Sequence, residues 1–336
     1  MTRASVVVVA YRAGDALTRL LDSLEDAAGP HEVLVVDNGG GGPEIEAARR
    51  REGVRVLDPG GNVGFAAGCN AGAAAADGDV LVFLNPDTVV APGAVSQLLR
   101  TLEDPAIGIA MARLRLLDRP EVLNSSGLEV HVCGLSWAGG YGEPVDSVDC
   151  VRDVPAASGT AMAVRAATFR DLGGFTGELF MYQEDLLLGW KARLAGLRVV
   201  VDPDADVFHD YEYGRNAAKH YLLERNRLVF LLSTYSPRLL VLLAPVLLST
   251  EVALAALAVR QGWLREKLRA WGWVAGHVRW IARHRRATQR LRRVRDRDLA
   301  PLLTATLSPA MVDLPAGAGA ANRAVEAYWR LARRAL

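Results

Sequence analysis

Four short apolar runs, SVVVVA (5–10), EVLVVD (32–37), VRVL (54–57) and VLVFL (80–84), alternate with Ala/Leu-rich stretches. Three of the runs have a continuous apolar centre rather than an alternating one, and VRVL is interrupted only by Arg55; a continuous centre suits a strand buried on both faces. The spacing predicts helices around 15–27 and 43–52, a third after the glycine loop GGNVGF, and a fourth after Pro92. Continuous apolar strands separated by helices give an α/β fold with a parallel sheet covered on both sides. Such sheets take ligands in the crevice beyond the strand C-termini. Ala10 and Tyr11, Asp37, and Asn85-Pro86-Asp87 fall at those ends.

Residues 105–153 are rich in Gly, with Trp137 and Tyr141, and read as irregular strands and loops. AASGTAMAVR then reads as a strand and AATFRDLGG as a helix closed by glycine. Leu186, Leu187, Trp190 and Leu194 recur at helical spacing before Gly196, and RVVVD (198–202) and DVFH (206–209) read as two strands.

The 336 residues suffice for one large α/β domain, 1–235, and a second region, 236–336. Residues 236–336 carry 18 Lys+Arg and 6 Asp+Glu, a net of +12, and the rest carries −11. Residues 237–259, PRLLVLLAPVLLSTEVALAALAV, form the most apolar segment. It is long enough to cross a bilayer, which takes about 20 residues. Pro245 and Glu251 interrupt it, and a central carboxylate costs about 2.5–3.5 kcal/mol on insertion. Trp263, Trp271, Trp273 and Trp280 interleave with arginines after it. That pattern favours a helical region associating with a membrane surface over a span. A soluble helical subdomain is the plainer alternative. Nucleic acid is disfavoured as a partner, because no recognition motif accompanies the basic run. Cys69, Cys133 and Cys150 form no disulfide or zinc pattern, which fits a reducing cytosol. The apolar run at the N-terminus reads as a first strand rather than a signal peptide.

The polar residues at the strand ends admit two readings each. Asp37 is either an Asx-turn residue or a carboxylate accepting hydrogen bonds from a ribose or a pyrimidine base. GNVGFAAGCN (61–70) is a glycine loop entering a helix, with Asn62, Gly64 and Asn70 available to a ligand. It lacks GxGxxG and GxxxxGK[ST], which disfavours a dehydrogenase and a P-loop enzyme. Asn85-Pro86-Asp87 is a turn, or it presents Asp87 to a cation, with His209 at another strand end as a second ligand. Glu184 and Asp185 open a helix, where acidic residues suit the dipole, or one of them acts as a general base.

Taken in order, SVVVVAYR, VLVVDN, GNVGFAAGCNAG, FLNPDT, SGTAMAVR, GGF, FMYQEDLLLGWKARLAG and DVFH resemble family-2 glycosyltransferases of the GT-A fold, in particular the rhamnosyltransferase-like branch. The resemblance covers roughly 4–235. It implies inverting transfer of a sugar, possibly rhamnose, from a nucleotide-diphosphate donor with Mg2+ or Mn2+. The acceptor would be a glycan or a lipid-linked glycan, at the cytoplasmic face of the membrane. It further implies that Ala10, Tyr11, Asp37, Asn62, Gly64, Asn70 and Asn85 line the donor, that Asp87 and His209 hold the metal, and that Asp185 is the base. Glu184 and Trp190 would face the acceptor.

Three residues depart from the family pattern: Asn85 replaces the first carboxylate of DxD, Leu187 replaces an Asp, and Lys191 replaces an Arg. A catalytically silent nucleotide- or glycan-binding module of the same fold is the alternative. A nucleotidyltransferase is disfavoured, because AYRAGD offers only Arg12 after the first strand.

Overall fold

The computed structural model of the protein describes residues 3–25, 31–210, 217–308, 310 and 317–336; the last two residues of the helix expected at 15–27 lie outside them. Two compact units emerge. Met1–Leu128, Ala138–Ala192 and Leu197–Glu212 form the first; Glu129–Trp137, Arg193–Gly196 and Tyr213–Leu336 form the second.

The strands, in chain order, are β1 (Ala4–Ala10), β2 (His31–Asp37), β3 (Val54–Leu57), β4 (Val80–Leu84), β5 (Thr88–Val90), β6 (Ile107–Leu116), β7 (Leu123–Ser125), β8 (Leu128–Val130), β9 (Ser136–Ala138), β10 (Arg152–Asp153), β11 (Ala161–Arg165) and β12 (Arg198–His209). The helices of the first unit are α1 (Asp15–Glu25), α2 (Pro43–Arg49), α3 (Phe65–Ala75), α4 (Ala94–Thr101), α5 (Ala166–Asp171) and most of α6 (Glu184–Leu194), whose last two residues are assigned to the second.

One large sheet runs in the order β10-β12-β6-β11-β4-β1-β2-β3, with β5 added to β12 and β7 to β6; β8 and β9 pair separately. The four runs read as a parallel sheet form one, and the complete sheet is mixed. β1, β2, β3 and β4 are parallel, but β11 runs antiparallel to both β4 and β6. The stretch expected to be irregular contains β6, a ten-residue central strand. RVVVD and DVFH are one strand, β12, broken in register between Asp202 and Asp206.

The register brings the chemistry to one sheet edge. Ala10 pairs with Asp37, Leu84 with Ala161, and Leu116 with His209. The ends of β1, β2, β4, β6 and β12 therefore meet the start of β11. The strand order reverses between β1 and β4, which opens the crevice where doubly wound sheets bind ligands.

α3 lies unusually close to this sheet. A Cβ on Gly72 would stand 2.3 Å from Val7 Cγ1, and one on Gly68 would stand 2.9 Å from Val9 Cγ1. The two glycines, four residues apart, give the helix a flat face. Beneath the site, Phe83, Phe169 and Phe175 pack with ring centroids 5.0–5.5 Å apart.

The second unit is helical: α7 (Ala217–Thr234), α8 (Pro237–Gln261), α9 (Leu264–Gly276), α10 (Val278–Arg290), α11 (Asp296–Leu299) and α12 (Ala318–Ala332). It takes in α7, whereas the sequence places the domain boundary after residue 235. α8 has sharp ends. The Ser236 hydroxyl accepts from Leu239 N–H at 3.0 Å, Pro237 occupies the first turn, and Gly262 at φ 80° closes it.

A charged cluster ties α8 to α7 and α9. Lys267 Nζ donates to Glu224 Oε2 at 2.5 Å and to Glu251 Oε2 at 3.1 Å. Arg227 bonds both carboxylates, and Trp271 Nε1 donates to Glu251 at 2.9 Å. Arg227 and Lys267 are fully buried. Removing one member of such a pair costs about 3–5 kcal/mol.

Candidate active site

At the first sheet edge, Asp37 makes the Asx-turn: its Oδ1 accepts from Gly39 N–H at 3.2 Å and Gly40 N–H at 3.0 Å. A Cβ on Gly39 would stand 3.1 Å from Arg12 N, so the β1 and β2 tips nearly touch. Tyr11 is exposed there, with the Arg12 guanidinium 5.3 Å from its ring centre. Asn38 was not assigned a role in the sequence, and it links the tips to the glycine loop. Its Nδ2 donates to Asn62 Oδ1 at 3.0 Å, and its Oδ1 accepts from Val63 N–H at 2.8 Å. Asn62 Oδ1 also accepts from Gly64 N–H at 3.0 Å. Asn62 thus shapes the loop in the structure.

Asn70 stands apart from this group. Its amide donates to Phe175 O at 2.8 Å and accepts from Phe175 N–H at 3.0 Å. Both ends are occupied by that backbone, so Asn70 is a clamp on the Gly174-Phe175 turn and not an open ligand group.

The Asn85-Pro86-Asp87 tip is both turn and site. Thr88 Oγ1 donates to Asn85 O at 2.7 Å, and Asn85 N–H bonds Thr160 O at 2.9 Å. Asp87 O accepts from Asp210 N–H at 2.9 Å, and Thr88 pairs with His209 across β5 and β12. Asp87 Oδ1 therefore lies 3.3 Å from His209 Nε2. Behind the imidazole, Nδ1 lies 3.0 Å from Asn124 Oδ1, an acceptor, which places the ring proton on Nδ1.

In neutral His209, Nε2 then faces Asp87 with its lone pair. A carboxylate oxygen beside an imidazole suits Mg2+ or Mn2+. No group of three or more His, Cys, Asp or Glu is assembled among the described residues; Asp87 and His209 are the pair here that could hold a cation.

Asp185 opens α6, half-buried. Its Oδ2 accepts from Gly159 N–H at 2.9 Å and its Oδ1 from Leu186 N–H at 2.7 Å. Gly159 and Thr160 are consecutive, so the start of β11 holds Asp185 on one residue and Asn85 on the next. Glu184 is buried, with its Oε2 in no hydrogen bond. Burial raises the pKa of both carboxyls, and the neighbouring Asp185 charge raises Glu184 further. The two N–H donors oppose the effect of burial on Asp185, and Glu184 has no such pair of side-chain bonds. A carboxylate with a raised pKa can accept a proton from a hydroxyl.

Two acceptor-side expectations are corrected. Trp190 is 1 % exposed and Glu184 5 %, so both are core-facing residues of α6. Trp190 follows the same helical spacing as Leu186, Leu187 and Leu194, and that spacing carries it inward. Leu187 is buried too, and Lys191 points inward, 3.2 Å from Gly174 O.

The segment before Asp185 was unforeseen. Phe180, Tyr182 and Gln183 all have positive φ, 64°, 71° and 62°. Phe180, with ψ −63°, centres a strained γ-turn in which Met181 N–H bonds Leu179 O at 2.7 Å. FMYQ contains no Gly, Asn or Asp to signal this turn. Tertiary contacts hold it: Phe180 O accepts from Ala66 N–H at 3.1 Å, and the Phe180 ring fills the space a Gly64 side chain would occupy. Strain held this way gathers at functional sites.

A family model described as glycosyl transferase family 2 matches residues 5–134. The chain is 31 % identical over 248 residues to N-acetylglucosaminyl-diphospho-decaprenol L-rhamnosyltransferase of Mycobacterium tuberculosis, covering 64 % of this chain and 79 % of that one. Among solved structures, GalNAc-T7 with UDP, GalNAc and Mn2+ superposes with a TM-score of 0.59 at 18 % identity, over 69 % of this chain and 48 % of that one. S. aureus TarS 1–349 with UDP-GlcNAc superposes with a TM-score of 0.55 at 17 % identity, over 98 % and 92 %. The mixed sheet is that of the GT-A fold. The chain belongs to glycosyltransferase family 2, with a rhamnosyltransferase-like sequence, and is a glycosyltransferase.

Proposed function

We propose that the protein transfers a sugar, with inversion, from a nucleotide-diphosphate donor to a glycan or lipid-linked acceptor in cell-envelope polysaccharide synthesis, working at the cytoplasmic face of the membrane. Rhamnose is the favoured sugar, on the strength of the mycobacterial relative. The observation that carries the reading is the meeting of two chemistries at one sheet edge: Asp185, fixed by Gly159, and the Asp87–His209 pair, fixed by β5 and β12.

Asp185 takes the proton of an acceptor hydroxyl. The hydroxyl oxygen bonds the anomeric carbon from the face opposite the diphosphate, and the sugar–phosphate C–O bond breaks with its electron pair leaving on the nucleoside diphosphate. Asp87 and His209 would hold Mg2+ or Mn2+, which supplies positive charge against the leaving diphosphate. Ala10, Tyr11 and Asp37 flank the nucleoside, and the loop shaped by Asn62 and Gly64, with Asn85, borders the donor.

The test is a thermal-shift screen of UDP-, dTDP- and GDP-sugars with Mg2+ or Mn2+, followed by mass spectrometry of reactions with lipid-linked acceptors. A metal-dependent shift with one donor class and a glycosylated product support the reading. A donor shift with neither transfer nor donor hydrolysis identifies a silent binding module instead.

A further inference from the structure

α8 is long and apolar enough to cross a bilayer, yet one side of it is held by the second unit. Leu239, Leu243, Val246 and Ala258 are buried. Tyr328 of α12 donates to Leu242 O at 2.6 Å. Glu251 is bound by Arg227 of α7 and by Lys267 and Trp271 of α9. Drawing α8 across a membrane would strip two fully buried cations of a carboxylate and carry that carboxylate into hydrocarbon.

Its exposed large apolar side chains line one face. Val241, Leu248, Val252 and Val259 are 74 %, 68 %, 71 % and 63 % exposed. At about 100° per residue they lie within about 40° of one another around the helix, and they extend for about 27 Å along it. Glu251 lies about 80° away from them, on the gripped flank. Arg238 and Arg260, both exposed, stand at the two ends of the stripe. The region that holds it, 236–336, has a net charge of +12. A second copy of this chain would bring the same positive charge against itself, whereas an anionic bilayer complements it.

We infer that α8 is an interfacial helix: it lies in the plane of an anionic lipid surface with the Val241–Leu248–Val252–Val259 stripe among the acyl chains and its arginines at the headgroups. This rests on the membrane-surface reading above and specifies the surface and its orientation. The apolar stripe supplies insertion, and the basic residues supply a preference for anionic lipid that salt weakens.

The experiment floats the full chain with vesicles of phosphatidylcholine, with and without phosphatidylglycerol, alongside a Leu248→Glu/Val252→Glu variant. Both positions are exposed, so folding is checked by melting temperature and by the donor-induced thermal shift. The wild type is expected to float with anionic vesicles, to bind neutral ones more weakly, and to be released by alkaline carbonate. The variant is expected to lose partition by about tenfold or more with melting and donor shift unchanged.

A wild type that floats equally well with the variant overturns the α8 face and leaves membrane association standing. Retention of the wild type through carbonate, with chain ends on opposite sides of the vesicle, overturns the interfacial placement in favour of a span. No flotation of the wild type overturns both, and a sedimentation shift to monomer on substitution then assigns the stripe to self-association. A lost donor shift in the wild type itself concerns the transferase reading alone.

Discussion

Gly64 tests whether the donor loop and the segment presenting Asp185 are one mechanical unit. Its φ of 86° and ψ of 167° lie in a region essentially restricted to glycine, and a side chain there costs about 1–3 kcal/mol. A Cβ would also stand 2.5 Å from Phe180 Cδ2 and 2.6 Å from Phe180 O. Phe180 cannot yield freely, because its carbonyl is bonded to Ala66 N–H and it centres the γ-turn. Overpacking of this kind adds about 1–3 kcal/mol. Gly64→Ala is therefore expected to lower stability by about 2–6 kcal/mol, at about 2–4 °C of melting temperature per kcal/mol.

Whatever relaxation occurs must move the segment that carries Asp185, and misplacing a catalytic group by about 1 Å can cost about a hundredfold in rate. Gly60→Ala is the control: Gly60 shares the φ of 86° but has nothing within 4 Å of its would-be Cβ. Calorimetry and steady-state turnover of the two variants should differ, with Gly60→Ala retaining its kcat and Gly64→Ala losing it. Equal melting temperatures and equal kcat for the two would refute the coupling through Phe180.

Two further outcomes follow from the site. Asp87→Ala should bind the nucleotide sugar with the same affinity with and without Mn2+ in calorimetric titrations, where the wild type binds more tightly with the metal; a metal effect preserved in the variant would remove Asp87 from the ligand set. Glu184 has a folded-state pKa well above its ordinary 4.5, so as pH rises past 4.5 the unfolded chain releases that proton first and stability falls. Glu184→Gln should thus match the wild type in urea melts below pH 4.5 and exceed it near neutrality; a variant less stable than the wild type at neutral pH would mean the carboxyl is ionised and paired.

Much of the first unit was legible because its strands are written in Val, Ile and Leu and its turns in Gly and Pro. β6 was not. IGIAMARLRL is built largely from residues that favour helices as readily as strands, and it becomes a strand because β11 and β12 flank it in the sheet. β11 carried no sign of its direction, which is set by where α5 and β6 place it. Asp87, Asp185 and His209, the residues proposed for the chemistry, each sit at the end of a patterned element. The residues that orient them could not be picked out: Asn124 lies in LNSSG, which reads as an ordinary turn, and Gly159 acts through its backbone N–H. Trp190 shares the helical spacing of Leu186 and Leu194 and is buried with them.

The most direct measurement is single-turnover transfer by Asp185→Asn, with the donor dissociation constant measured on the same preparation. An amide can accept only one of the hydrogen bonds now made by Gly159 and Leu186, so a small loss of stability is expected, about 1 kcal/mol. The proton acceptor is removed altogether. The transfer rate should fall by about 10²–10⁴-fold with donor affinity unchanged. A transfer rate within about twofold of the wild type, far inside the range that general-base catalysis supplies, would contradict the assignment of Asp185 as the base.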